Sequence, residues 1–79
     1  MKKKYPHNSD IMKAIIEVLS KEILIKPSEF YDKVKENLEN KDFNTSLLNE
    51  KRLWRVYEYM VYKGMIYDVL FVIKKIKNY

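Results

Sequence analysis

The stretch NEKRLWRVYEYMVYKGMIY, residues 49 to 67, decides how this chain folds. It arranges two arginines, two lysines, one tryptophan and four tyrosines around a thin line of apolar side chains, and it contains the only glycine of the protein, Gly64. Asn44 or Thr45 is suited to cap a helix that runs to Lys63, and Gly64 is suited to follow its end as the C′ residue. The stretch therefore predicts a third helix, the longest of the chain, with a basic and aromatic exterior.

At about 100° per residue, this helix has a packing side and a polar side. The packing side holds Leu53, Val56, Tyr57, Met60 and Gly64, and the opposite side holds Lys51, Arg55, Glu58 and Tyr62. Arg52, Tyr59 and Lys63 lie on one flank, with Trp54 and Val61 on the other. Because the packing side is complete without the arginines, the basic and tyrosine side chains are available to a partner. The alternative is an ordinary exposed ladder of charges at i,i+3 and i,i+4 spacing.

Two amphipathic segments precede this helix. The first predicts a helix from Asp10 to about Lys21, capped by Asn8 or Ser9. The second predicts a helix from Pro27 to about Asn40, because proline suits the first helical position. Its expected buried residues are Phe30, Val34 and Leu38, and Glu29 is expected to face Lys33 outside. Ile23, Leu24 and Ile25 between the two segments suit a short strand or a buried extended link.

The C-terminal stretch MIYDVLFVIKKIKNY, from Met65 onward, fits two structures. Its valine, isoleucine, phenylalanine and tyrosine residues are typical of strands, and a glycine directly before it favours the end of a helix and the start of a strand. This favours a short β-hairpin with Asp68 as its only polar turn candidate. The helical spacing of Ile66, Val69, Leu70, Ile73 and Ile76 supports a fourth helix as the alternative.

Length and composition limit the class of protein. A chain of 79 residues allows one domain, and 47% hydrophobic content argues against disorder. The absence of cysteine excludes disulfides and thiolate metal sites. Residues 1–8 are expected to form a flexible basic arm, and residues 9–79 a single domain. The opening MKKK is not followed by the apolar segment of a signal peptide, and no apolar run reaches membrane length, so we expect a cytoplasmic protein without membrane contact.

Charge is distributed unevenly along the chain. The formal net charge is +5. Residues 1–13 carry four lysines against one acid, residues 14–50 carry five lysines against eight acids, and residues 51–79 carry seven bases against two acids. Basic ends around an acidic middle suggest one face suited to a polyanion. The alternative is a lysine-rich chain that is simply well solvated.

The order of these elements resembles the winged helix-turn-helix superfamily. The resemblance covers about Asp10 to Lys77 and includes the transition KGMIYDV at residues 63–69. It implies a mainly α fold with a small β component, three helices and a C-terminal hairpin wing, in which the third helix enters the DNA major groove. The DNA-binding residues that it implies are Lys51, Arg52, Arg55, Tyr59, Tyr62 and Lys63, with Lys74, Lys75 and Lys77 at the end of the wing.

The sequence gives no support to catalysis. His7 is the only histidine and lies in the expected arm, and a single glycine excludes a phosphate-cradling loop. We expect no enzyme activity, no cofactor and no metal. The predicted function is sequence-specific binding of double-stranded DNA by a small transcriptional regulator. A winged-helix-like adaptor or inhibitor that binds another protein is the alternative, and a homodimer formed through the tail or the first helix stays open.

Overall fold

Three helices make up most of the structure. The computed structural model describes residues 3–22 and 25–67, which form α1 (Asn8–Lys21), α2 (Pro27–Asn40) and α3 (Glu50–Tyr62). The prediction of a mainly helical protein is confirmed. The prediction that the third helix is the longest was wrong, because α3 has 13 residues and the other two have 14 each.

The first helix begins earlier than predicted. Its N-cap is His7, and both predicted caps, Asn8 and Ser9, lie within the helix. The carboxylate of Asp10, three residues after the cap, accepts a hydrogen bond from the His7 amide at 2.9 Å. An acid at this position satisfies a backbone donor that the helix itself leaves unpaired. Asp10 therefore fixes the start of α1 three residues upstream of itself.

The second and third helices are joined by a structured loop. Helix α2 ends where Asp42 adopts a left-handed conformation with φ of +67°, and the Phe43 amide then donates to the Leu38 carbonyl at 3.0 Å. The expected caps of α3 are used inside the loop instead: the Asn44 side chain accepts from the Ser46 amide, and the Thr45 hydroxyl donates to Glu39. Because of these bonds α3 begins later in the sequence than predicted, with Asn49 as its cap.

The end of α3 agrees with the prediction. Gly64 has φ of +74°, a conformation that side-chain-bearing residues rarely adopt. Its amide donates to the Val61 carbonyl, and the Met65 amide donates to the Met60 carbonyl at 2.9 Å. These two bonds form a Schellman motif, which satisfies the last carbonyls of the helix.

The core lies where the three apolar stripes meet. The stripe predicted for α2 is buried, and of the side predicted for α3 only Gly64 is exposed. On α1, Ile11, Ile15 and Val18 are buried whereas Ile16 is exposed. The rings of Phe30, Trp54 and Tyr57 pack with centroids 5.4 to 5.6 Å apart, in the tilted and edge-to-face geometries that aromatic rings prefer. Tyr57 is therefore a core side chain, as the phase of the helix indicates, and Trp54 packs against the core from the flank while partly exposed.

Charged groups tie α1 to α2. The Lys41 ammonium, just after α2, lies 2.7 Å from the Glu17 carboxylate of α1, and the Asn37 amide donates to the same carboxylate at 3.1 Å. Lys33, which was expected to face Glu29, forms its ion pair with Glu22 at 2.7 Å. The hydrogen bond from Lys41, together with that from Asn37, holds the pKa of Glu17 below its ordinary value.

Residues 3–7, here called the N-terminal segment, are docked on the helices although the sequence predicts a flexible arm over residues 1–8. Lys4 forms an isolated parallel bridge with Phe43, and its carbonyl accepts from the Asn44 amide at 2.8 Å. Pro6 is buried. The difference arises because the loop after α2 offers an amide that the sequence pattern does not reveal.

The predicted C-terminal hairpin falls largely outside the described residues. Met65 to Tyr67 follow α3 as a bend, and residues 68–79 are not among those that the structure describes. Within the described ranges the chain contains no strand, and its one β-type pairing is the bridge between Lys4 and Phe43. Ile23 and Leu24 of the predicted link also lie outside, whereas Ile25 is buried. No helix in the described part is long and apolar enough to cross a membrane.

Candidate nucleic-acid interface

The outward face of α3, defined by Lys51, Arg55, Glu58 and Tyr62, is exposed along its whole length. Tyr62, a large aromatic side chain, is 84% accessible. On the other side of the same helix, Leu53 and Met60 have no accessible surface. Packing therefore uses only one side of α3, and the predicted basic and tyrosine side chains on the other side are free to meet a partner.

Lys63, Tyr59 and Tyr62 form a small cluster at the C-terminal end of α3. The Lys63 ammonium lies 5.8 Å from the centroid of each tyrosine ring, within the range of a cation–π contact. The three side chains therefore present one positive charge and two hydroxyl groups close together. Ammonium and phenol groups of this kind donate hydrogen bonds to phosphate oxygens.

Arg52 is held by the N-terminal segment. Its guanidinium donates from Nη2 to the Pro6 carbonyl at 2.9 Å and lies 3.4 Å from the Asn8 side-chain oxygen. The guanidinium of Arg55, one turn further on, makes no hydrogen bond or ion pair with any residue in the described ranges. The two arginines that the sequence assigned to one site are therefore in different states: Arg55 is free and Arg52 is partly occupied.

A groove lies between the beginning of α1 and α3. Its volume is about 550 Å³ and its lining residues are Asn8, Met12, Arg52, Arg55, Val56 and Tyr59. The α1 side contributes Asn8 and Met12, and the α3 side contributes Val56, Tyr59 and both arginines. The groove reaches the outward face of α3 at Arg55, and Arg52 in its lining bonds to the Pro6 carbonyl of the N-terminal segment.

The remaining predicted site residues belong to the expected wing. Lys74 and Lys75 lie outside the described residues, as does Lys77. Glu58 lies on the outward face among the basic groups, where its carboxylate repels phosphate and can accept a hydrogen bond from a cytosine amino group. In the described ranges no group of histidine, aspartate or glutamate residues could hold a metal ion.

Sequence reasoning missed the docking of the N-terminal segment beside this surface. Lys3, Lys4 and Tyr5 are exposed although their backbone is docked. The available signal was Pro6, whose fixed φ favours an extended approach to a helix start, but the bond from Arg52 to its carbonyl joins residues 46 apart in sequence. No local pattern predicts such a contact.

Comparisons with protein-family models, with curated proteins and with solved structures find no match to this chain. The function therefore has to be argued from the geometry of the surface itself.

Proposed function

We propose that this protein is a sequence-specific DNA-binding protein, a small transcriptional regulator of the winged helix-turn-helix type, in which α3 enters the major groove of double-stranded DNA. The observation that carries the proposal is the outward face of α3, where Lys51, Arg55 and Tyr62 are exposed while the core is complete without them. An exposed helix of this width fits the major groove. The overall net charge of +5 favours a polyanionic partner.

Each group on α3 has a role in this proposal. Arg55 is free to make a bidentate contact with O6 and N7 of a guanine, which is the commonest base-specific contact. Lys51 and the cluster of Lys63, Tyr59 and Tyr62 contact phosphates and so set the position of the helix on the duplex. Glu58 adds selectivity, because its carboxylate is tolerated only where it meets a base-edge donor. The role is binding, and no step of catalysis is part of it.

The first test is the Arg55→Ala variant, titrated with a duplex selected from random sequences and with a random duplex. We expect a loss of about 1 to 3 kcal/mol on the selected duplex, as for an arginine that reads a guanine, and a smaller loss on the random one. Lys21→Ala is the matched control, because Lys21 is exposed and lines a separate cavity with Glu22 and Asn37, away from α3. Equal binding by the parent and Arg55→Ala would contradict the assignment of Arg55.

One observation favours a second function, the docking of another protein. Tyr62 and Tyr67 are more than four-fifths exposed, and Tyr59 and Met65 are about half exposed. Tyrosine and methionine are enriched at protein interfaces. In this case the chain is an adaptor or inhibitor, and the outward face of α3 is its docking surface. The salt dependence of binding to random duplex DNA separates the two functions, because it is steep only for a protein that displaces counterions from phosphates.

A further inference from the structure

The N-terminal segment is fastened at three points. The Lys4 carbonyl accepts from the Asn44 amide at 2.8 Å, Pro6 is buried, and the Pro6 carbonyl accepts from Arg52 Nη2 at 2.9 Å. The first contact holds the segment to the loop before α3, and the last holds it to α3 itself. Residues 3–7 are therefore fixed in position beside the N-terminal end of the helix that we assign to the major groove.

The side chains of this fastened segment point to solvent. Lys3, Lys4, Tyr5 and His7 are all exposed. Lys3 has one weak neighbour, the Asp42 carboxylate at 4.0 Å, which is itself almost fully exposed. Lys4 has no hydrogen bond or ion pair from its side chain to any residue in the described ranges. A lysine whose backbone is held and whose ammonium is free is suited to contact an external anion.

The distance from Lys4 to α3 is short. Lys4 and Pro6 are separated by Tyr5 alone, so their Cα atoms are at most roughly 7.6 Å apart, and the Pro6 carbonyl accepts a hydrogen bond from Arg52 on α3. A duplex bound by Arg55 and Lys51 brings its phosphate backbone past this end of the helix. In the proposed binding mode, Lys4 is therefore near the end of α3 past which the flanking phosphates run.

We propose that the N-terminal segment is a second DNA contact, in which Lys4 binds the phosphate backbone of the duplex and Arg52 is the positioning residue that holds the segment in place. This inference rests on the proposed function. Arg52 acts through Lys4, and its bond to the Pro6 carbonyl is made before DNA arrives. The segment loses its conformational entropy when the protein folds, so binding DNA does not require a second loss of that entropy. Lys4 therefore contributes more to affinity when Arg52 is present than when it is absent.

The docking is tested first, without DNA, by amide hydrogen exchange. The Asn44 amide, which donates to Lys4, is protected in the parent. Arg52→Met keeps most of the length of the side chain but no donor, so it lowers this protection, and Arg52→Lys restores part of it. Arg55→Ala is the matched control on the same helix and leaves the protection unchanged. An Asn44 amide that is equally protected in the parent and in Arg52→Met overturns the positioning role of Arg52.

The contact is tested by titrating random duplex DNA at several salt concentrations. Lys4→Ala makes the salt slope shallower by about one and weakens binding about fivefold at 0.15 M salt, as expected for one lost phosphate contact. In the Arg52→Met background the same change costs less than about twofold, because the segment is no longer held. Additive losses in this double-mutant cycle overturn the proposal.

The failure of this inference differs from the failure of the proposed function. If the parent binds duplex DNA with a steep salt slope and Lys4→Ala binds identically, the second contact is wrong and the role of α3 stands. If the parent binds no DNA, the proposed function is wrong and the second contact is overturned with it. In both cases the protection of the Asn44 amide shows independently whether Arg52 holds the N-terminal segment in place.

Discussion

Single residues on α3 divide into those that build the core and those that face outward. Leu53 has no accessible surface, and Leu47, six residues earlier, is 64% exposed. The two leucines have the same chemistry and lie in the same part of the chain. Leu47 lies in the turn before α3, and the two differ strongly in the amount of surface that folding removes from water, which is the quantity that sets the hydrophobic contribution of a side chain.

The first prediction at this scale compares Leu53→Ala with Leu47→Ala. We expect Leu53→Ala to lower the free energy of unfolding by about 2 to 5 kcal/mol, because it leaves a cavity in the core. Leu47→Ala should stay within about 0.5 kcal/mol of the parent. Denaturant unfolding followed by circular dichroism measures both. Similar midpoints for the two variants would show that the apolar side of α3 does not form the core.

Sequence reasoning predicted the burial and exposure that follow from helical periodicity, and it missed the side-chain bonds that depend on a distant backbone atom. The burial of Phe30 and Tyr57 follows from helical spacing alone, and both are buried. The free state of Arg55 follows from its position opposite the core. The occupied state of Arg52 could not be predicted, because it depends on the Pro6 carbonyl and not on any neighbour along α3.

At the scale of the elements, helix ends were predicted correctly where a residue has one strong conformational preference, and missed where residues can form either a cap or a loop. Pro27 and Gly64 have strong preferences, and they mark the start of α2 and the end of α3 as predicted. The start of α3 was placed too early, since Asn44 and Thr45 can cap a helix but can also bond within a loop. In this chain the Asn44 side chain bonds within the loop, the Thr45 hydroxyl bonds back to Glu39 near the end of α2, and Asn49 is the cap.

The prediction at this scale concerns the connection between α1 and α2 and its dependence on pH. The pKa of Glu17 is lowered by its bonds to Lys41 and Asn37. A carboxyl group with a lowered pKa stabilises the folded state above its unfolded pKa of about 4.3, and that contribution is lost as the pH falls through the folded value. We expect Glu17→Gln to be less stable than the parent at pH 7, with the difference closing in acid below about pH 4.

Thermal unfolding at a series of pH values measures this difference. Glu58→Gln is the control, because the Glu58 carboxylate is exposed and makes no hydrogen bond or ion pair in the described ranges. Its melting temperature should follow that of the parent at every pH. A Glu17→Gln difference that stays constant from pH 7 to pH 2 would mean that the charge of Glu17 does not hold α1 and α2 together.

At the scale of the whole molecule, the positive charge is concentrated toward the ends of the chain. The described ranges are almost balanced: residues 3–22 carry four lysines and three acids, and residues 25–67 carry eight bases and seven acids. The rest of the excess comes from Lys2 and from the lysines of residues 68–79, which outnumber the one acid there by three to one. In the proposed function, long-range attraction of the duplex therefore depends on the ends of the chain, and α3 supplies the groups that select a site.

The last prediction separates these two contributions with Lys75→Ala and Arg55→Ala. Lys75→Ala should weaken binding to selected and random duplexes alike and make the salt slope shallower by about one, because a lost phosphate contact carries no sequence information. Arg55→Ala should act mainly on the selected duplex. Both are measured in one titration series over salt concentration, with Lys21→Ala as the control and with melting temperatures recorded in parallel. If both variants bind duplex DNA like the parent and a protein partner is lost instead, the outward face of α3 docks a protein, and the adaptor function replaces the regulator.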